Sequence, residues 1–373
     1  MSEVQQAPSK ITSVEPPVQF EEPMFPFLIE VDDFMWVSRA RHAFNVSGEG
    51  LTVAVLDTGL NTSHVDFAGR IPAQRNFTGD NGGDPNDATD GNGHGTNVGG
   101  IIVADGDHTG IAPGANIIPL KVLSNEDGGL FLWIEQALDW VIENRDAHNI
   151  TAVCMSLGDS GNYTSDNFGD NPIRNKIRTL REAKVAVLIA AGNDYFPHKS
   201  QQGMSYPAII RECVSVGAVY DAAEGGFSYS SGAKAKSTRA GQITPFSQRL
   251  HPRANFRTRT DIFAPGAPVT ASGIDGAHGE STQHGTSQAT PVTAGLILLM
   301  QELYQRVTGE LPEVDDLVKW LRRGGVTIHD GDDEDDNVEH TNRNFIRADA
   351  LSALDSVRRS LHKKLLREKM AEV

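Results

Sequence analysis

Five apolar runs of strand length, at residues 51–56, 116–122, 151–156, 185–190 and 214–219, alternate with helix-length segments at 95–104, 130–144, 173–183 and 290–307. Runs that are mostly apolar, rather than apolar at every second position, belong to strands buried on both faces, and the interleaved helices supply the cover. The pattern predicts an α/β fold, with a mostly parallel central sheet covered by helices on both faces. At 373 residues and 39% hydrophobic content, the chain can build one large core of this kind. Active sites of open parallel sheets gather beyond the carboxyl ends of the strands, so the polar residues that follow these runs carry the search for chemistry.

Asp57 ends one such run, in Val53-Ala54-Val55-Leu56-Asp57-Thr58-Gly59. His94 stands in Gly91-Asn92-Gly93-His94-Gly95-Thr96, and Ser287 in Gly285-Thr286-Ser287-Gln288-Ala289-Thr290-Pro291, directly before the apolar run 292–299. A serine hydroxyl is a weak nucleophile at neutral pH and needs an imidazole to take its proton as it attacks a carbonyl. The imidazole needs a buried carboxylate to fix its tautomer and to stabilise the cation that forms. Backbone N–H groups at a helix start lack helical partners and favour negative charge, which suits an oxyanion beside Ser287.

Each piece alone has a plainer reading. Asp57 could end a strand in a turn or form half of an aspartic protease site, His94 could be a surface or core histidine, and Ser287 could be a helix N-cap. A catalytically silent peptide-binding protein would also keep the fold without the reaction. An aspartic protease needs a second Asp motif, and Asp-Thr-Gly occurs only at 57–59, while Ala289 removes the glycine of a GxSxG esterase.

Taken together, the three segments resemble the signature motifs of the subtilisin-like serine proteases (subtilases), in the Asp, His, Ser order that sets these apart from chymotrypsins and α/β-hydrolases. The likeness is strongest to the intracellular subtilisins, through Asn76-Phe77-Thr78-Gly79-Asp80, Leu120-Lys121-Val122-Leu123 and Ser205-Tyr206-Pro207-Ala208. The resemblance implies a three-layer subtilisin-like fold and a serine endopeptidase acting on extended or unfolded polypeptides. It makes Asp57, His94 and Ser287 the catalytic residues, and Asn193, in Ala190-Ala191-Gly192-Asn193, the oxyanion-hole donor. Ser156, Leu157 and Gly158 match the substrate-binding edge, where main-chain pairing gives affinity with little sequence readout. By the same resemblance, Ala190, Ala191 and Gly192 would line the primary pocket.

Two positions depart from the family pattern. Asn97 replaces a second histidine and Gln288 replaces a methionine. No organic cofactor is implied. A family calcium ligand is matched by Asp66, although the loop that supplies its companions is shortened to Asp105-Gly106-Asp107-His108-Thr109. Asp84, Asp87 and Asp90, with Asp80, offer hard oxygen ligands for a second structural calcium.

The rest of the chain divides into an extension at 1–45, a catalytic domain at 46–350 and an amphipathic helix at 351–373, which suits packing on the core or a homo-oligomer contact. Within the extension, Phe25-Pro26-Phe27 is the candidate for an inhibitory segment lying in the cleft, since proline lacks the N–H that edge pairing uses. Residues 222–245 read as an exposed inserted loop and 330–336 as a solvated acidic loop. Net charge of −16 argues against nucleic-acid and anionic-membrane partners. With no secretory signal pattern, and with Cys154 and Cys213 both in or beside apolar strands, the expected location is the cytoplasm.

Overall fold

The computed structural model describes residues 10–11, 29–126, 128–249, 260–331 and 335–371. Its strands are β1 (Lys10–Ile11), β2 (Thr52–Asp57), β3 (Arg75–Asn76), β4 (Asn116–Lys121), β5 (Gly129–Leu130), β6 (Ile150–Met155), β7 (Ala186–Ala190), β8 (Val214–Tyr220), β9 (Phe227–Ser228), β10 (Lys234–Ala235), β11 (Ile262–Ala267), β12 (Val269–Ser272), β13 (Glu280–Gln283), β14 (Val326–Asp330) and β15 (Arg343–Arg347). The helices are α1 (Ile29–Met35), α2 (Val37–Phe44), α3 (His94–Val103), α4 (Phe131–His148), α5 (Pro172–Glu182), α6 (Thr286–Thr308), α7 (Val314–Gly324) and α8 (Ala350–Ala371).

Nine strands form one sheet in the order β14-β15-β11-β8-β7-β6-β2-β4-β3. Its pairings are parallel except for β14 with β15. The pleat sends alternate residues to opposite faces. Along β2, Val53 and Val55 join the core under α3, α6, α7 and α8, while Ala54 and Leu56 join the core under α4 and α5. This two-sided burial is why the strand reads as continuously apolar, and it yields the expected three-layer α/β fold.

The five expected central strands are present with shifts of a residue or two at their ends. The larger change is at α6, which starts at Thr286 rather than at 290, so Ser287 lies in the first helical turn. Pro291 sits inside this helix and has no N–H to donate to the carbonyl four residues back. That carbonyl belongs to Ser287, and the Ser156 hydroxyl donates to it instead at 2.7 Å.

Two expected surface loops are tied into the body. Residues 222–245 contain the β9–β10 hairpin, and Tyr229 within it is 6% exposed, bonded to the Tyr220 hydroxyl at 2.8 Å and to His284 Nδ1 at 3.1 Å. At the start of the acidic run, Asp330 is fully buried and takes a two-pronged ion pair from Arg249 at 2.8 and 3.1 Å. Aromatic and buried ionic anchors, which the turn-rich composition conceals, account for both corrections.

Within the 1–45 extension, α1 and α2 bury Val31, Met35, Val37 and Ala40 against the main core. In α8, Leu354, Val357 and Leu361 are buried and Leu365, Leu366 and Met370 are exposed, so the amphipathic helix packs along its first half only. Phe25, Pro26 and Phe27 lie outside the described residues. Both cysteines are buried thiols whose ionisation burial pushes upward. Among the described residues, no helix is long and apolar enough to cross a membrane.

Candidate active site

Parallel register aligns three strand exits. Val55 pairs with Cys154 and Cys154 with Leu188, so Asp57, Ser156 and Ala190, each two residues further on, leave adjacent strands side by side. Strand spacing of about 4.8 Å then puts three chemically distinct segments within about 10 Å of one another.

Asp57 is fully buried, and its Oδ1 lies 2.7 Å from His94 Nδ1 while accepting the Thr58 N–H at 2.7 Å. A carboxylate oxygen accepts, so Nδ1 carries the hydrogen and the lone pair of the neutral ring falls on Nε2. His94 opens α3, and the turn before it is held by Asp90, which accepts from the N–H groups of Asn92, Gly93 and Thr96 and from the Thr96 hydroxyl. Gly95 permits the close approach of this turn to β2, since a Cβ there would lie 2.3 Å from the Gly59 carbonyl oxygen.

The first turns of α3 and α6 are stitched together by side chains three residues beyond His94 and one beyond Ser287. Gln288 Nε2 donates to Asn97 Oδ1 at 3.3 Å and to Gln283 Oε1 at 3.1 Å, and Gln283 Nε2 donates to the Gly93 carbonyl at 3.4 Å. Ser287 is 5% exposed, and its Oγ donates to the Ser156 carbonyl at 3.3 Å. Ser156 and Ser287 therefore bond each other in both directions.

Asn193 follows β7. Its Oδ1 accepts the Thr286 N–H and the Thr286 hydroxyl, both at 2.9 Å, which turns the amide nitrogen toward the Gly285–Ser287 turn. Thr286 was not singled out by sequence reasoning, although it lies inside the serine motif and orients the oxyanion candidate. Gly192 has φ +112°, and a Cβ would meet Gln248 Oε1 at 2.0 Å, so glycine is required on both counts. Gln248, a second residue missed from sequence, bonds the Gly192 carbonyl through its N–H at 2.9 Å. Ala190, Ala191, Leu157 and Gly158 are buried beside this turn, with the Ser205 hydroxyl next to Gly158.

One more edge faces the same end of the sheet. The loop that leads into β5 is fastened to the turn before His94 through Gly91 N–H to Asn125 Oδ1 at 3.0 Å and Asn92 Nδ2 to the Asn125 carbonyl at 3.2 Å. On its other side β5 pairs antiparallel with β1, Lys10 opposite Leu130 and Ile11 opposite Gly129.

The expected acidic calcium ligands do not converge. Asp84 and Asp87 accept from the N–H groups of Asn86 and Thr89 in their own turns, and both oxygens of Asp90 serve the His94 turn. Among the described residues, the metal-competent grouping of three or more is instead His64, Asp66 and His108. There burial opposes the Asp66 charge, but bonds from His108 and Ser272 outweigh it and hold the carboxyl down to about 2.

A model of the subtilase family matches residues 48–321. The chain is 30% identical over 289 residues to the "Major intracellular serine protease" of Bacillus subtilis (strain 168), covering 75% of this chain and 78% of that protein. It is 31% identical over 259 residues to the "Intracellular serine protease" of Paenibacillus polymyxa, covering 69% and 68%. To "Subtilisin-like protease 3" of Arthroderma benhamiae it is 31% identical over 267 residues, covering 71% and 54%.

Proposed function

The chain belongs to the subtilase family and is a serine-type endopeptidase, and on that premise we propose that Ser287, His94 and Asp57 form its catalytic triad. The observation that carries this reading is the buried 2.7 Å contact between Asp57 and His94, which puts the lone pair of the neutral ring on Nε2, the atom that takes a serine proton in this mechanism. In the proposed mechanism Ser287 Oγ passes its proton to His94 as it attacks the peptide carbonyl carbon. The C–O bond forms, the π pair moves to oxygen, and Asn193 Nδ2 with the Ser287 N–H receives the oxyanion. His94 then protonates the leaving amine as the C–N bond breaks, and water hydrolyses the acyl-enzyme by the same proton path.

The substrate is an extended polypeptide segment, held by main-chain bonds along residues 156–158 and β5. Support for the second edge is that β5 already accepts a strand from this chain's own N-terminal segment. The same pairing supports autoinhibition by residues 1–28, with Lys10 and Ile11 occupying an edge that substrate would use. Work inside the cell is part of the proposal, supported by the two relatives whose names describe intracellular proteases.

Cleavage of denatured casein, compared between the wild type and Ser287→Ala, tests the assignment. Turnover by the wild type alone supports it. Peptide binding without turnover in both favours the silent binding module.

A further inference from the structure

His64 and Asp66, in the turn after β2, meet His108 of the short 105–109 loop, and the β12–β13 hairpin packs on all three through Ser272, Gly279 and Glu280. Their exposures are 1%, 0% and 4%. Hydrogen-bond polarity fixes the His64 ring. The Gly279 carbonyl can only accept, so His64 Nε2, at 2.8 Å from it, carries the hydrogen. The Asp66 N–H can only donate, so His64 Nδ1, at 3.1 Å, carries the lone pair. That nitrogen also lies 3.3 Å from Asp66 Oδ2, which accepts from the Ser272 hydroxyl and faces His108 Nδ1, so an ion among the three residues would take the places now held by the Asp66 N–H and the hydrogen between His108 and Asp66.

We propose that His64 Nδ1, Asp66 Oδ2 and His108 Nδ1 form a binding site for a divalent transition-metal ion of the zinc class. Ligand bonds of about 2.0–2.1 Å in tetrahedral geometry separate donor atoms by about 3.3 Å, the spacing already set between His64 and Asp66. His108 Nδ1, now 2.8 Å from the same carboxylate oxygen, becomes the third donor when its hydrogen is exchanged through solvent for one on Nε2, or when the ring cation loses its Nδ1 proton. Its Nε2 then carries a hydrogen toward Glu280 Oε2 at 3.4 Å, and His64 keeps its own toward Gly279, so both imidazoles have the outer partners that orient metal-bound histidines. Two nitrogens and one oxygen favour zinc, cobalt or nickel over calcium, which takes a shell of oxygens. A bound ion would brace, through the contacts of His64 with Gly279 and His108 with Glu280, the hairpin whose second strand, β13, runs into His284 and the Ser287 turn.

The test uses full-length Ser287→Ala protein, stripped with a chelator, so that readouts are independent of proteolysis and of the triad assignment. Cobalt(II) at one equivalent is expected to produce visible d–d bands of a low-coordinate site, lost on adding zinc. Zinc a hundredfold above its Kd should raise Tm by about 3 °C for a chain of this size. His108→Gln should abolish both responses, with folding verified by far-UV circular dichroism, while His329→Gln, at an exposed and remote position, should keep them. Folded protein that shows no cobalt bands and no zinc shift overturns the proposal, as does stabilisation by calcium but not by zinc.

Discussion

Gln288 and Asn97 are hydrogen-bonded to one another at 3.3 Å although 191 residues separate them in the chain. These are the two positions at which the catalytic motifs depart from the family pattern, and the structure makes them one feature. Both side chains are buried, with Asn97 also donating to the Ser281 carbonyl and hydroxyl. Coupled buried amides should show non-additive energetics. In the Ser287→Ala background, Asn97→Ala and Gln288→Ala should each cost about 1–3 kcal/mol in urea unfolding, and the double variant at least about 0.5 kcal/mol less than their sum. Strict additivity would remove the coupling.

Placing an amide rather than a thioether directly after Ser287 also has a chemical consequence. An amide is not oxidised along the sulfur ladder. Mild peroxide should leave the wild type active and inactivate Gln288→Met in proportion to sulfoxide formation, measured by residual casein hydrolysis and mass spectrometry.

Pro291 creates a need that Ser156 meets. Since the Ser287 carbonyl has no helical donor four residues on, Ser156→Ala leaves it without the 2.7 Å hydroxyl bond. The expected cost is about 1–3 kcal/mol of stability, with a fall in kcat larger than any change in KM. An unchanged kcat would mean that the helix start does not depend on this bond.

His284 should make the protein sensitive to mild acid. Burial pushes its imidazole down to about 3, against about 6.5 for an exposed histidine. Between those values the unfolded chain holds the proton and the folded chain does not, so stability is full above pH 6.5 and falls as pH drops toward 3. At pH 4 the loss is on the order of 3 kcal/mol. Urea midpoints of Ser287→Ala protein between pH 7 and 4 should decline more steeply than those of the same protein carrying His284→Gln.

Asp330 has the opposite sign and a lower window. Burial opposes its charge, but Arg249 and bonds from His340 and Thr341 hold its carboxyl well below the carboxylate range. Its contribution is complete above the unfolded value near about 4 and disappears as pH falls through the folded value. Asp330→Asn strands the fully buried Arg249 guanidinium and should cost about 3–5 kcal/mol at pH 7.

The central sheet was legible in the sequence because it is written locally, and so were the places of the residues proposed for the chemistry. Apolar runs mark β2, β6 and β7; Asp57 ends the first, Ser156 follows the second and Asn193 lies three residues beyond the third. What depended on distant partners was not legible. Asp90 reads as one acid among several until its oxygens are seen fastening the His94 turn, and Tyr229 reads as loop composition until its ring meets Tyr220, Phe246 and His284. His108 is illegible for the same reason, because its partner Asp66 lies 42 residues earlier and meets it only in the fold.

The proposed assignment of Ser287 is tested most directly by a fluorophosphonate probe, which forms a covalent bond only with an activated serine. Full-length protein and protein lacking residues 1–28 would be labelled and digested, and the modified peptide identified by mass spectrometry. The expected result is one adduct per chain, on Ser287, faster in the shortened protein and abolished by His94→Ala. A probe that labels neither protein, or that still labels Ser287→Ala at the same stoichiometry, would contradict the assignment.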